Sequence, residues 1–192
     1  MPSLFQLNKY QVTDMERTYM ENEQVRLRAL EPEDVDLLYK WENNAGLWHL
    51  GDTRMPFSRF TLKEFIETSK KDIYETKQLR LIIEHSEEFR PLGAIDLFDF
   101  DPFHLRAGVA ILISNKEDRQ KGYAGNALSL LARYAFEILG LKQIYCSISE
   151  TNDHSLKLFI KQGFVITGQK KAWLKTNDGW ITEYFLQLIN SE

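Results

Sequence analysis

The stretch from Ala107 to Ser149 does most to limit the architectures open to this chain. Ala107 to Ser114 is an apolar run of strand length. Ala124, Leu128, Leu131, Ala135 and Leu139 then recur at spacings of three and four, and Gln143 to Ser149 reads as a second strand. Apolar residues at that spacing form one stripe of an amphipathic helix, here over about Gly122 to Leu139, with Gly140 at its stop. A strand, a helix and a return strand put the two strands parallel in one sheet, with the helix packed on its face.

The flanking segments extend that sheet. Val25, Leu27 and Ala29 alternate with Arg26 and Arg28 as in a half-buried strand, and Glu31-Pro32-Glu33-Asp34 then starts a helix with proline in its first turn. That helix is expected to bury Val35, Leu38, Tyr39 and Trp41. A second helical stretch, about Leu62 to Glu75, aligns Phe65, Ile66 and Ile73 on one side. Between the two helices the chain is rich in aromatics (Trp48, His49, Phe57, Phe60), which either line a pocket or plug the core. From Gln78 the period becomes that of strands: Leu79 to Glu84, Gly93 to Asp99 and Ala107 to Ser114 form an antiparallel meander with turns at Ser86 to Pro91 and Asp101 to Leu105. After Ser149, Asn152 or Asp153 caps a short helix through Gln162, Gly163 ends it, and Phe164 to Thr167 is a strand. Asn177-Asp178-Gly179 turns a last hairpin between Lys171 to Lys175 and Trp180 to Ile189. Residues 1 to 23 lack sustained periodicity and read as an extension with a short helix around Thr13 to Glu21. The domain proper is expected over 24–192, a mixed α/β (α+β) sheet with helices on both faces.

Charge and cysteine usage narrow the function classes. The 24 basic and 28 acidic residues are mixed along the sequence, for a formal charge of -4, so no basic stripe suited to a phosphate backbone is present and nucleic acid is not the expected partner. A small cationic substrate is compatible. Cys146 stands alone, and His49, His85, His104 and His154 lie far apart, which points to a reduced compartment and no structural metal. No run of 18 or more apolar residues occurs and the first residues are polar. The expected location is the cytoplasm, with no membrane partner.

The chemistry concentrates between Ile111 and Gly125, where an apolar strand gives way to a polar loop and then to small residues opening the long helix. A helix start presents unpaired N–H groups and the positive end of its dipole, and a glycine there lets the backbone come close to an anion. Arg119 and Lys121 add positive charge. Neither the Walker pattern nor the Rossmann glycine pattern is met, and without more information the segment equally fits an ordinary strand-to-helix turn. The order Arg119-x-x-Gly122-x-Ala124, however, resembles the acyl-CoA signature of the GNAT acetyltransferase superfamily. Val25 to Asp34, Asn43-Asn44, and Asn152-x-x-Ser155-x-x-Leu158-Phe159-x-x-x-Gly163-Phe164 resemble the branch that contains spermidine N-acetyltransferases and ribosomal-protein N-terminal acetyltransferases. The resemblance spans about Val25 to Ile189 and implies a mostly antiparallel sheet of about seven strands.

It also implies a cofactor and a set of residues. Acetyl-CoA would lie with its pyrophosphate on the backbone of Arg119, Gln120, Lys121, Gly122, Tyr123, Ala124 and Gly125, and its pantetheine along Ile111, Leu112 and Ile113. Asn152 and Ser155 would reach the cofactor, although capping the next helix is an equally sound role for Asn152. An alkylamine is protonated near neutral pH and must lose a proton before it attacks. Asp96 and Asp99 are candidate bases; strand alternation puts them on opposite faces, so only one can serve. Glu33, Glu42 and Trp48 are candidate substrate contacts, and each carboxylate can equally be a solvated surface group. Phe159 occupies the position of the family's general-acid tyrosine and cannot donate a proton. Cys146, inside a strand, is expected to be a buried structural thiol.

The implied reaction is direct attack of a primary amine on acetyl-CoA in a ternary complex, with a diamine or polyamine favoured. The α-amine of a protein, possibly ribosomal, is the alternative acceptor. The loss of the tyrosine hydroxyl leaves room for a CoA-binding module without turnover. The edge strands of the final hairpin can support a homodimer or larger assembly.

Overall fold

The computed structural model describes residues 19–46, 48 and 55–191. Most of the extension, including the start of the helix expected from Thr13, and His49 lie outside the described residues. Strand β1 (Val25–Ala29) leads through a 3-10 turn (Pro32–Asp34) into α1 (Val35–Glu42). Helices α2 (Arg59–Thr68) and α3 (Ile73–Thr76) come next, then strands β2 (Leu79–His85), β3 (Pro91–Asp101) and β4 (Arg106–Ile113). A second 3-10 turn (Lys116–Asp118) precedes α4 (Tyr123–Glu137), followed by β5 (Gln143–Ser149), α5 (Asp153–Lys161), β6 (Val165–Thr176) and β7 (Gly179–Ile189). The seven strands make one sheet in the order β1-β2-β3-β4-β5-β7-β6. Only β4 and β5 are parallel, as the intervening α4 requires.

Alternation along the strands divides the apolar residues between two faces. Ile95, Leu97, Val109, Ile144, Cys146 and Leu186 pack under Leu128, Leu131 and Ala135 of α4, with Phe159 of α5 and Phe164 completing that core. Ile82 and Ala94 point the other way, under Val35, Leu38, Trp41, Leu62 and Ile66 of α1 and α2. Helix α4 ends at Glu137. The left-handed Gly140 (φ +64) then lets the Leu141 amide reach back to the Ala135 carbonyl at 2.9 Å.

Three expectations are corrected. The second helical stretch is two helices, because Asp72 starts a new one by accepting from the Tyr74 amide (2.7 Å). Ile73 accordingly packs with the α4 core rather than beside Phe65 and Ile66. The segments Phe164 to Thr167 and Lys171 to Lys175 belong to one strand, β6, which carries its irregularity as bulges with Ala172 at φ +49. In β3 the register shifts between Phe98 and Asp101, and Asp99 adopts φ +49. The bulge breaks the alternation, so Asp99 joins a cavity with Tyr145 and Phe185 on the same side of the sheet as Asp96.

Candidate active site

Strands β4 and β5 share only three residue pairs, Arg106–Gln143, Ala107–Ile144 and Gly108–Tyr145. Beyond Gly108, β4 stays paired with β3 through Ile113, while β5 continues alongside β7 to Ser149. The sheet is therefore open along its middle from Val109 onward. Ile111 and Leu112 are half-buried, and one edge of their strand lacks a ladder partner.

The loop closing this opening is held in a fixed shape. Asp118, 5% exposed, accepts from both terminal guanidinium nitrogens of Arg90 at 2.8 Å. The Arg90 hydrogen bonds hold its carboxyl below the usual carboxylate range. Lys121 stands 3.7 Å from the same carboxylate. Arg119 donates from Nε to the Ile113 carbonyl (3.1 Å), and its backbone amide donates to Lys116 O (3.1 Å). The Arg119 side chain thus fastens the loop to the end of β4. Gln120 (φ +63) and Gly122 (φ +92) are left-handed and reverse the chain into α4, where no side chain caps the helix. Among the described residues, the consecutive amides of Gly122, Tyr123, Ala124 and Gly125 donate to no acceptor; the first helical bond is Asn126 N to Gly122 O. Such a row of unpaired N–H groups at a helix start is an anion cradle.

Across the opening, Asn152 caps α5 by accepting from the Ser155 amide (3.2 Å), so its helix-capping role is realised, and its Nδ2 group makes no hydrogen bond among the described residues. Phe159 is buried and meets Phe164 edge to face at 4.9 Å, as part of the α4 core. Cys146 belongs to the same core, and burial pushes its thiol up to about 12, which removes it as a nucleophile.

The acidic candidates separate according to the register. Asp96 pairs with Ala110, just past the last β4–β5 pair, and so stands at the mouth of the opening. Asp99 lies beyond Phe98–Gly108, toward the closed end, in a cavity of about 560 Å³ with Asp101, Arg106 and Tyr145. Asp96 accepts from Arg80 Nε at 2.6 Å through Oδ1, and Arg80 donates from its other side to Glu42 Oε1, also at 2.6 Å. The Phe65 ring lies 5.2 Å from the Arg80 guanidinium. Glu42 and Asp96 are thus gathered at one place by the half-buried Arg80, and Trp48 joins them by donating its indole N–H to the Glu42 main-chain carbonyl (2.7 Å). Glu33 is exposed on the first 3-10 turn, apart from this group. Sequence reasoning missed Arg80; its one trace is a charged residue between Leu79 and Leu81 at a strand position facing a helix. Among the described residues, no three His, Cys, Asp or Glu side chains converge as a metal site would require, and no helix is long and apolar enough to cross a membrane.

A sheet split between parallel strands, ending in an uncapped glycine loop, defines an acyl-CoA transferase of the acetyltransferase class. The family model for the acetyltransferase (GNAT) domain matches residues 24–165, and the chain belongs to that family of N-acetyltransferases. It is similar to the spermidine N(1)-acetyltransferase of Escherichia coli K12, with 29% identity over 145 residues covering 76% of this chain and 75% of that protein. The Vibrio cholerae enzyme of the same name is 28% identical over 147 residues, covering 77% and 82%. The crystal structure of V. cholerae spermidine N-acetyltransferase with CoA and spermine shares the fold at a TM-score of 0.78, covering 88% of this chain and 98% of that one at 24% identity. A structure of the V. cholerae enzyme is described as dodecameric. These relatives are named for a polyamine acceptor, and a protein α-amine finds no support among them.

Proposed function

We propose that this protein transfers the acetyl group of acetyl-CoA to a primary amine of a polyamine or diamine, as an oligomer in the cytoplasm. The observation that carries the reading is the row of unpaired amides from Gly122 to Gly125 at the end of a sheet opened between β4 and β5. In this reading those amides hold the CoA pyrophosphate, and the free edge of Ile111, Leu112 and Ile113 takes the pantetheine as an additional strand. Arg119 acts by holding the loop. Asn152 offers its side-chain amide to the cofactor while capping α5, and Ser155 supports it.

The acceptor enters as an ammonium on the side of Glu42, Asp96 and Trp48. Asp96 uses only Oδ1 for its bonds to Arg80 and Gln78, and Oδ2 makes no hydrogen bond among the described residues. Oδ2, directly or through a water, takes the proton that frees the amine lone pair. The nitrogen then bonds to the thioester carbon, and a backbone N–H on the free edge of β4 stabilises the charge on the carbonyl oxygen. As the carbon–sulfur bond breaks, the thiolate takes the second proton shed by the nitrogen, by way of water. A hydroxyl at Phe159 is not required. Asp99 lies toward the closed end of the register and carries no proton in this reading.

The test is CoA release from acetyl-CoA with spermidine, spermine and putrescine, run beside Gly122→Trp. Substitution at Gly122 forces a side chain onto a left-handed residue already 3.3 Å from Gln24 at the Cβ position. Turnover of a polyamine by the parent and loss of CoA binding in the variant are expected. A parent that binds CoA yet acetylates none of these amines refutes the reading.

A further inference from the structure

We infer that Asn126 is a positioning residue that ties the segment before β1 to the cofactor loop, so that this segment sets the affinity for acetyl-CoA. Asn126 lies one turn into α4, and its side chain makes three bonds. Nδ2 donates to the Gly122 carbonyl (3.1 Å) and to Gln24 Oε1 (2.9 Å), while Oδ1 accepts from Asn22 Nδ2 (3.0 Å). Asn22 is fixed in turn, because its Oδ1 accepts from the Gln24 and Val25 amides, both at 3.0 Å, where β1 begins. Immediately upstream, Met20 packs into the α4 core and the Tyr19 ring lies 5.2 Å from the Arg133 guanidinium on α4.

The chain is therefore continuous from the first strand to Gly122. Gly122 is where rigidity matters, because its left-handed geometry, with that of Gln120, turns the row of amides in one direction. A left-handed non-glycine residue such as Gln120 persists only where its surroundings hold it. Arg90 and Arg119 hold the upstream side of the loop. On the helix side, Asn126 and the Asn22–Gln24 segment do so. None of these three side chains is placed to touch the reacting atoms. They act through the position of Gly122, and the effect belongs in cofactor binding rather than in the chemical step.

The inference rests on the acetyl-CoA reading above, and the experiment separates the two. CoA affinity is measured by calorimetry, and KM for acetyl-CoA and kcat by steady-state assay, in the full chain and in Asn126→Ala, Asn22→Ala and the double variant. Asn126→Ala is expected to raise Kd and KM roughly five- to tenfold, the size of one or two lost hydrogen bonds. The kcat at saturating acetyl-CoA and the KM for the amine should stay within about twofold. Asn22→Ala should move Kd the same way by less, and the double variant should be no weaker than Asn126→Ala alone, because the two residues act as one unit. A variant that merely loosened the fold would lower the melting temperature without this split. An unchanged Kd in Asn126→Ala overturns the inference, and full additivity of Asn22 and Asn126 overturns the link to the upstream segment. If the parent fails to bind CoA at all, the acetyl-CoA reading itself falls.

Discussion

Replacing Gly93 with alanine should damage the protein more than replacing any other glycine in the sheet. A Cβ at Gly93 would stand 1.8 Å from the Leu112 carbonyl oxygen and 2.8 Å from its carbon, and both are backbone atoms that no rotamer change can move. Gly93 is not left-handed, so the penalty is steric and has no conformational part. Relief requires β3 and β4 to part by about 1 Å or more in a region packed to near crystal density. Overpacking of this kind costs about 1–3 kcal/mol, and a broken ladder bond adds about 0.5–1.5 kcal/mol. A total of about 3 kcal/mol lowers the melting temperature of a chain this size by roughly 6–12 °C. Because Leu112 lies on the open edge of β4, CoA affinity should fall as well. The assay is differential scanning fluorimetry beside Gly140→Ala, where nothing lies within 4 Å of the added carbon and the left-handed backbone sets a smaller loss of about 1–2 kcal/mol. A Gly93→Ala melt within about 2 °C of the parent would refute the steric argument.

Two further outcomes follow from the charge and thiol environments. Arg90 holds Asp118 below the usual carboxylate range, so this pair's contribution is complete above the unfolded value of about 4 and is lost as pH falls through the lower folded value. Denaturant unfolding between pH 5 and pH 2 should therefore show the parent losing more stability than Arg90→Gln, and parallel losses would contradict the assignment. Cys146, 3% exposed with its thiol raised to about 12, should react with an aromatic disulfide reagent only as fast as the protein unfolds, while Cys146→Ala keeps its kcat.

What could be read in the sequence was whatever depends on local spacing. The stripe of α4, the parallel return of β5 and the glycine loop after β4 follow from periods and turn residues between Ala107 and Ser149, whereas the count of about seven strands was implied by the family resemblance. Features set by long-range contacts were hidden. Asp96 and Asp99 were assigned to opposite faces because alternation was continued through a bulge that only the Asp101–Arg106 pairing reveals. Arg80 became part of the site because Glu42, 38 residues earlier, folds back over it. Ala172 carries no turn signal, so β6 looked like two strands. Arg119 was expected to offer its backbone to the phosphate and its charge beside it; its side chain also bonds the carbonyls of Ile113 and Ser114, a role that spacing does not announce.

The surfaces facing the gap between β4 and β5 are mostly main chain: a bare strand edge on one side and a run of loop amides at its end. Main-chain groups are common to nearly every residue, so evolution can exchange the side chains around such a binding surface without rewriting what it recognises. The exceptions are positions where the path of the chain depends on one residue type, as at Gly93, where an added Cβ meets the Leu112 carbonyl, and at the left-handed Gly122. This chain and a solved relative share their fold at a TM-score of 0.78 with 24% identity. The acceptor side of the proposed function rests instead on particular side chains, Glu42, Arg80 and Asp96, so a single substitution there changes what the surface recognises.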